Sequence, residues 1–279
     1  MKSSIPDLFL AIMIIGFLAE YVDSSLGMGY GTTLTPVLLL LGFGPMQVVP
    51  AVLLAELVTG LLAGVIHHRL GNARLIPDNL DLTSIRNSAR EEGVVRSLIA
   101  ECPPHLKIVM VISSCSIVGT VAAVYLAVTI PPLWLNLYIG IMVFLIGLVI
   151  LLSGRLSPKF SWKRIVGLGM IASFNKGISG GGYGPVVTGG QILAGIKGRN
   201  AVAITSLSEG LTCLAGVTLY CLASDSVDWS LAPCLAIGSV LSVPFAALTV
   251  KHTDTGRLRL IIGVATLLLG GATLIKIIL

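Results

Sequence analysis

The sequence predicts an all-α polytopic membrane protein made of two inverted repeats. Each repeat has about five apolar segments and opens with a Gly-interrupted pair of short helices. Three observations lead there. The chain is too apolar for a soluble fold, its basic residues are confined to alternate connections, and it matches itself at an offset of 153 residues.

Composition comes first. Of 279 residues, 55% are hydrophobic and 11% are charged, and the mean hydropathy is +0.97. Soluble domains carry about 25% charged residues, so this chain cannot supply a polar surface for its size. Long unbroken apolar runs, rather than short alternating strands, exclude a transmembrane β-barrel. The net charge of +5 reads as basic cytoplasmic loops, not as a nucleic-acid surface, because no basic stripe with interleaved aromatics is present. The five cysteines form no CxxC pair and no Cys/His spacing, so neither a disulfide nor a metal site is expected. No cofactor is expected either.

The apolar segments run 8–22, 30–41, 46–66, 106–128, 132–152, 162–174, 184–195, 199–222, 230–250 and 258–278. Six or seven are long enough to span alone. The pairs 8–22/30–41 and 162–174/184–195 are short and glycine-interrupted, which suits re-entrant hairpins or short tilted helices. Segments 1–66 and 106–152 form the first repeat, and 153–279 the second. Between them, 67–105 is a cytoplasmic connector. Its stretch DLTSIRNSAREEGVVRSLIAE places Leu82, Ile85, Ala89, Leu98 and Ile99 near helical spacing, with Asp81 or Thr83 as N-cap.

Orientation follows from Lys and Arg. The connections 67–105, 153–164, 197–199 and 251–259 hold 14 of the 18 basic residues, whereas 42–45, 129–131 and 223–229 hold none. The basic connections are therefore assigned to the cytoplasm and both termini to the outside of the cell membrane. Lys2 and Lys276 lie near the outer ends, against the trend.

At the offset of 153, Gly27, Gly29, Tyr30 and Gly31 fall on Gly180, Gly182, Tyr183 and Gly184. Thr35 falls on Thr188, Glu56 on Glu209 and Thr59 on Thr212. In all there are eleven identities over 34 positions. The turn after the first motif is uncharged and the turn after the second is basic, so the halves face opposite ways. Inverted repeats with broken helices near the midplane mark secondary transporters.

The stretch GISGGGYGPVVTGG, residues 177–190, has seven glycines in fourteen residues. Irregular backbone at membrane depth survives only where protein buries it or a cavity solvates it. Such a break exposes N–H groups at the positive end of the next helix, which suits an anion. Two breaks facing each other would build one central site. Its candidate residues are Lys176, Asn175, Ser179, Gly182, Tyr183, Gly184 and Thr188 from the second motif. Ser24, Ser25, Gly29, Tyr30, Gly31, Thr32 and Thr33 come from the first. Glycines in membrane helices also serve close packing.

Glu56 and Glu209 sit in mid-segment, where a charged carboxylate costs about 2.5–3.5 kcal/mol. They are candidates for proton coupling or gating, with at least one protonated when an anion is bound. Asp23 is the repeat mate of Lys176 and is placed to pair with it. Glu20 is placed shallower, towards the interface.

Enzyme readings are weaker. Gly177-Ile-Ser-Gly180 matches the GxSG pattern of intramembrane serine proteases, and Ser179 with Lys176 would form a dyad. The four histidines, at 67, 68, 105 and 252, all lie at segment ends or in polar connections. No Walker motif supports an ATP-driven pump.

The motifs EYVDSSLGMGYGTTLTPVLLLLGF and ASFNKGISGGGYGPVVTGGQILAGIKGRNAVAITSLSEGLTCLAG resemble those of the sulfite exporter TauE/SafE family of membrane transporters. The first departs from the commoner G-x-G-G-G form at Met28 and Tyr30. The resemblance implies export of a small sulfur oxyanion or organosulfonate such as sulfite or sulfoacetate. An inside-negative potential favours that direction by about 2.3 kcal/mol per charge per 100 mV. An anion channel with the same pore-lining motifs is the alternative.

Overall fold

The computed structural model describes residues 5–75, 102–152, 161–193, 196–224, 229–250 and 255–278. All regular structure among them is helical: α1 Ile5–Leu26, α2 Tyr30–Leu40, α3 Pro45–Arg69, α4 Pro104–Thr129, α5 Pro132–Leu152, α6 Trp162–Ser179, α7 Tyr183–Leu193, α8 Gly198–Ser224, α9 Leu231–Val250 and α10 Thr255–Ile278. The amphipathic helix expected within the 67–105 connector lies outside the described residues.

Glycine and proline set the boundaries. Pro45, Pro104 and Pro132 open α3, α4 and α5 at positions whose N–H has no intrahelical partner. The Gly44 N–H donates to Gln47 Oε1 at 3.0 Å, which closes the entry to α3. Helix α6 ends on Gly180 at φ 72°, whose N–H returns to Lys176 O at 2.8 Å. A left-handed cap of this kind favours glycine. Gly27, its repeat mate, does the same for α1 at φ 68°, donating to Asp23 O at 2.6 Å.

Six helices among the described residues are long and apolar enough to cross a membrane: Phe9–Leu26, Pro45–Arg69, Pro104–Thr129, Pro132–Val149, Gly198–Ala223 and Leu231–Val250. The 11-residue α2 and α7 reach roughly 17 Å each, far short of a bilayer core of about 30 Å. Large apolar side chains cover the outside, among them Leu10, Leu18, Val118, Tyr125 and Leu241. The buried interior holds Glu20, Asp23, Glu56, Lys176 and Glu209. Polar groups inside and apolar groups outside suit lipid as the solvent.

The main packing pairs are α1 on α9, α4 on α6, α3 on α8 and α5 on α10, with α3 also on α9 and α8 on α4. Exchanging α1–α5 for α6–α10 carries α1/α9 into α4/α6 and α3/α9 into α4/α8, and leaves α3/α8 and α5/α10 unchanged. Described residues of the 67–105 connection meet the start of α8 and the end of α9 at one end of the bundle. Arg74 N donates to His105 Nδ1, the His105 ring is hydrogen-bonded to the Asn200 amide, and Asn72 donates to Ala247 O. Lys276 has a local reason to lie at the other end. Its ammonium donates to Leu39 O at 2.7 Å and Leu40 O at 3.2 Å, capping the C-terminus of α2.

Candidate functional site

The two glycine breaks are short, Gly27–Gly29 and Gly180–Gly182, and they pack on each other. A Cβ on Gly31 would lie 1.6 Å from Gly180 O, and one on Gly184 would lie 2.4 Å from Gly27 O. These contacts are repeat mates of one another. So are Gly27 against Thr188 and Gly180 against Thr35. Gly29 and Gly182 both take positive φ, 134° and 79°, which a side chain would strain. The N-terminal ends of α2 and α7 thus converge on one backbone seam.

Behind the seam lies a charge cluster. Lys176, in the last turn of α6, makes ion pairs to Glu56 of α3 and to Glu209 of α8, the latter at 2.7 Å. All three are nearly inaccessible to solvent. Oxygens of Asp23, Glu56 and Glu209 lie within 4.8 Å of one another. Glu20, one helical turn before Asp23, completes the group and is 2% exposed. The cluster therefore joins α1, α3, α6 and α8.

This arrangement differs from the sequence reading at two points. Lys176 pairs with the two glutamates rather than with Asp23, whose carboxylate accepts the Tyr30 N–H at the start of α2, at 3.2 Å. An acidic group at a helix N-terminus is favoured by the exposed amides there. Glu20 is not shallow. It faces inward because it lies three and four residues before Asp23 and Ser24, on the same face of α1.

Most of the hydroxyls turn onto nearby groups. Ser25 donates to Val22 O, Thr32 and Thr33 to Gly29 O, and Ser179 to Asn175 O. These are the i−3 and i−4 bonds that Ser and Thr commonly make in helices. Ser24 donates to Glu20. Ser179 Oγ also accepts the Gly181 N–H at 3.1 Å, so this hydroxyl is bound to backbone on both sides. Asn175 Oδ1 accepts from Tyr138 at 2.7 Å. Thr188 crosses the seam to donate to Gly27 O at 2.6 Å. The tyrosines are buried: Tyr30 OH lies 2.8 Å from Ser239 Oγ, and Tyr183 OH accepts from Thr212.

Sequence reasoning missed Tyr138, Ser206 and Cys213, which enter from α5 and α8. Cys213 Sγ lies 3.9 Å from Glu56 Oε2, and Ser206 lines the space between the carboxylates. None sits within a glycine motif. Cys213 and Ser206 lie three or four residues from Glu209, on its face of α8, and that spacing was the available signal.

Comparison with known proteins places the chain among membrane transporters. Residues 12–76 and 94–273 match the family model described as sulfite exporter TauE/SafE. The probable membrane transporter protein YtnM of Bacillus subtilis (strain 168) is 30% identical over 268 residues, covering 94% of this chain and 81% of that protein. No solved structure matches the chain. The family match spans both glycine breaks and every member of the charge cluster, and the chain belongs to the sulfite exporter TauE/SafE family of membrane transporters.

Proposed function

We propose that this protein is a secondary transporter that exports a small anion, sulfite or an organosulfonate, by alternating access at the seam between the two glycine breaks. The observation that carries the reading is the reciprocal packing of those breaks, Gly31 on Gly180 and Gly184 on Gly27. Contacts that exchange under the repeat are what a local two-fold relation would produce. With described residues of the 67–105 connection meeting the start of α8 and the end of α9, this supports two halves of opposite orientation, cytoplasmic basic loops and outside termini. Two similar halves meeting at a broken midplane can rock about the seam and open it to either side.

The seam is not symmetric in charge. Asp23 already occupies the N-terminus of α2, while its mate Lys176 stands before α7. The α7 end is therefore the half of the seam suited to an incoming anion. Four carboxylates against one ammonium leave a formal charge of −3 beside it, which an anion cannot approach unless cations neutralise part of it. Proton uptake by Glu56 or Glu209 is the simplest such neutralisation and couples export to a second ion.

The test is counterflow in proteoliposomes. Labelled sulfite should enter vesicles preloaded with unlabelled sulfite, saturably, and sulfoacetate should compete. Unitary currents without counterflow would favour a channel instead. Absence of any sulfur-oxyanion flux would remove the substrate assignment.

A further inference from the structure

The carboxylates of the charge cluster enclose a cavity of about 10 Å³. Glu20 and Asp23 of α1, Glu56 and Thr59 of α3, and Ser206 and Glu209 of α8 line it. Every side chain in that set offers oxygen. Two of the oxygens, Glu20 Oε2 and Glu56 Oε1, are buried without any hydrogen-bond partner. A buried carboxylate oxygen left unpaired is costly, and here two of them border the same small space. Lys176 does not relieve them, because it is engaged with Glu56 Oε2 and Glu209 Oε1.

We propose that this cavity is a binding site for one desolvated Na⁺. The ligand atoms would come from Glu20, Asp23, Glu56 and Glu209, with the Thr59 and Ser206 hydroxyls in support. An all-oxygen donor set selects a hard cation. The spacing is compatible, since oxygens of Asp23, Glu56 and Glu209 within 4.8 Å of one another lie no more than about 2.8 Å from a common centre, a bound that includes the roughly 2.3–2.6 Å oxygen contacts of a hard ion. The volume admits an ion without its water shell. Mg²⁺ usually keeps several waters, for which there is no room. A divalent ion would also repel Lys176, which shares two of the same carboxylates, twice as strongly as Na⁺ does. K⁺ is larger, so its charge stays further from the carboxylate oxygens and gains less Coulomb energy from them than Na⁺ does. The site joins α1 and α3 of the first repeat to α8 of the second, so occupancy would bind the two halves together.

The proposal deepens the transporter reading and rests on it only for the link between Na⁺ occupancy and transport. Binding itself is measured without sulfite and without flux. Purified full-length protein in detergent is titrated with radiolabelled Na⁺. Its thermal midpoint is followed in NaCl, KCl and choline chloride at equal ionic strength. The expected result is saturable binding of one Na⁺ per chain and a midpoint raised by Na⁺ but not by K⁺. Glu20→Gln and Thr59→Val, neither of which removes a partner of Lys176, should each weaken Na⁺ binding about tenfold or more while keeping the midpoint measured in KCl. Equal midpoints in the three salts with no Na⁺ binding would overturn the site. So would Na⁺ binding unchanged in both variants. Sulfite counterflow surviving either result would leave the transporter reading intact, and Na⁺ binding without counterflow would leave the site intact.

Discussion

Asp23 and Lys176 hold equivalent places ahead of the two glycine breaks, and they act on different objects. Asp23 reaches forward to the first N–H of α2. Lys176 reaches sideways to Glu56 and Glu209. A duplicated backbone thus carries an acid on one side and a base on the other. One helix N-terminus has its own anion, and the other has none from that position. This is how a near-symmetric scaffold can present a directional site.

The ion-paired triad should be intolerant of partial removal. Lys176→Met strands two buried carboxylates. Breaking a buried pair in this way costs about 3–5 kcal/mol. The expected result is a sharply lowered thermal midpoint or loss of the folded protein. Adding Glu56→Gln and Glu209→Gln to Lys176→Met removes the stranded charge and should recover much of the stability. Counterflow should stay absent in the triple variant. A single Lys176→Met protein as stable as wild type would show that the triad contributes nothing.

The seam should be equally strict about volume. Gly31→Ala drives a methyl into Gly180 O and Gly184→Ala drives one into Gly27 O, and in both cases the obstacle is backbone. Backbone cannot rotate away, so the two breaks must separate. Both variants should lose counterflow. Gly189→Ala is the control, since nothing lies within 4 Å of its Cβ position. It replaces glycine by a better helix former in α7 and should keep the midpoint or raise it by up to about 1 kcal/mol equivalent. Full activity in Gly31→Ala would remove the seam from the mechanism.

The helices were legible because their signals are local. Apolar runs flanked by glycines and prolines placed the boundaries within about five residues, although the run read as 8–22 continues to Leu26 and the run read as 162–174 continues to Ser179. The repeat offset also found Glu56 and Glu209 as equivalent positions. Equivalence is not contact, however. The offset paired Asp23 with Lys176 on paper, while the fold brings Lys176 to residues 120 and 33 positions away. Helix crossings between α3, α6 and α8 decide that, and no spacing rule encodes them. The hydroxyls are a separate case. Thr32, Thr33 and Ser179 have the chemistry to meet an anion, but their place within or beside a helix end gives each a carbonyl to bond first.

Lys276 should matter for the fold. It donates to the last carbonyls of α2, groups that a helix end leaves unsatisfied. Lys276→Met keeps the apolar stem and removes the donor. The expected loss is about 1–2 kcal/mol, read as a lower midpoint, with the affinity for sulfite in counterflow unchanged. A large shift in that affinity with no loss of stability would place Lys276 on the substrate path instead.

Thr188 and Thr35 give the most discriminating comparison, because they are repeat mates in opposite situations. Thr188 Oγ1 donates across the seam to Gly27 O at 2.6 Å and lies 2.8 Å from Thr205 Oγ1. Thr35 Oγ1 is buried with no partner. Valine has nearly the shape of threonine without the hydroxyl, so the substitution isolates the hydrogen bond. Thr188→Val strands the Gly27 carbonyl and should cost about 1–3 kcal/mol. Thr35→Val removes an unsatisfied polar group and should be neutral or stabilising by the same reasoning. The two midpoints should therefore move apart from wild type in opposite directions, or one should fall while the other holds. If both variants fall equally, Thr35 has a partner in the working protein, and the two halves of the seam are more alike than their hydrogen bonds indicate.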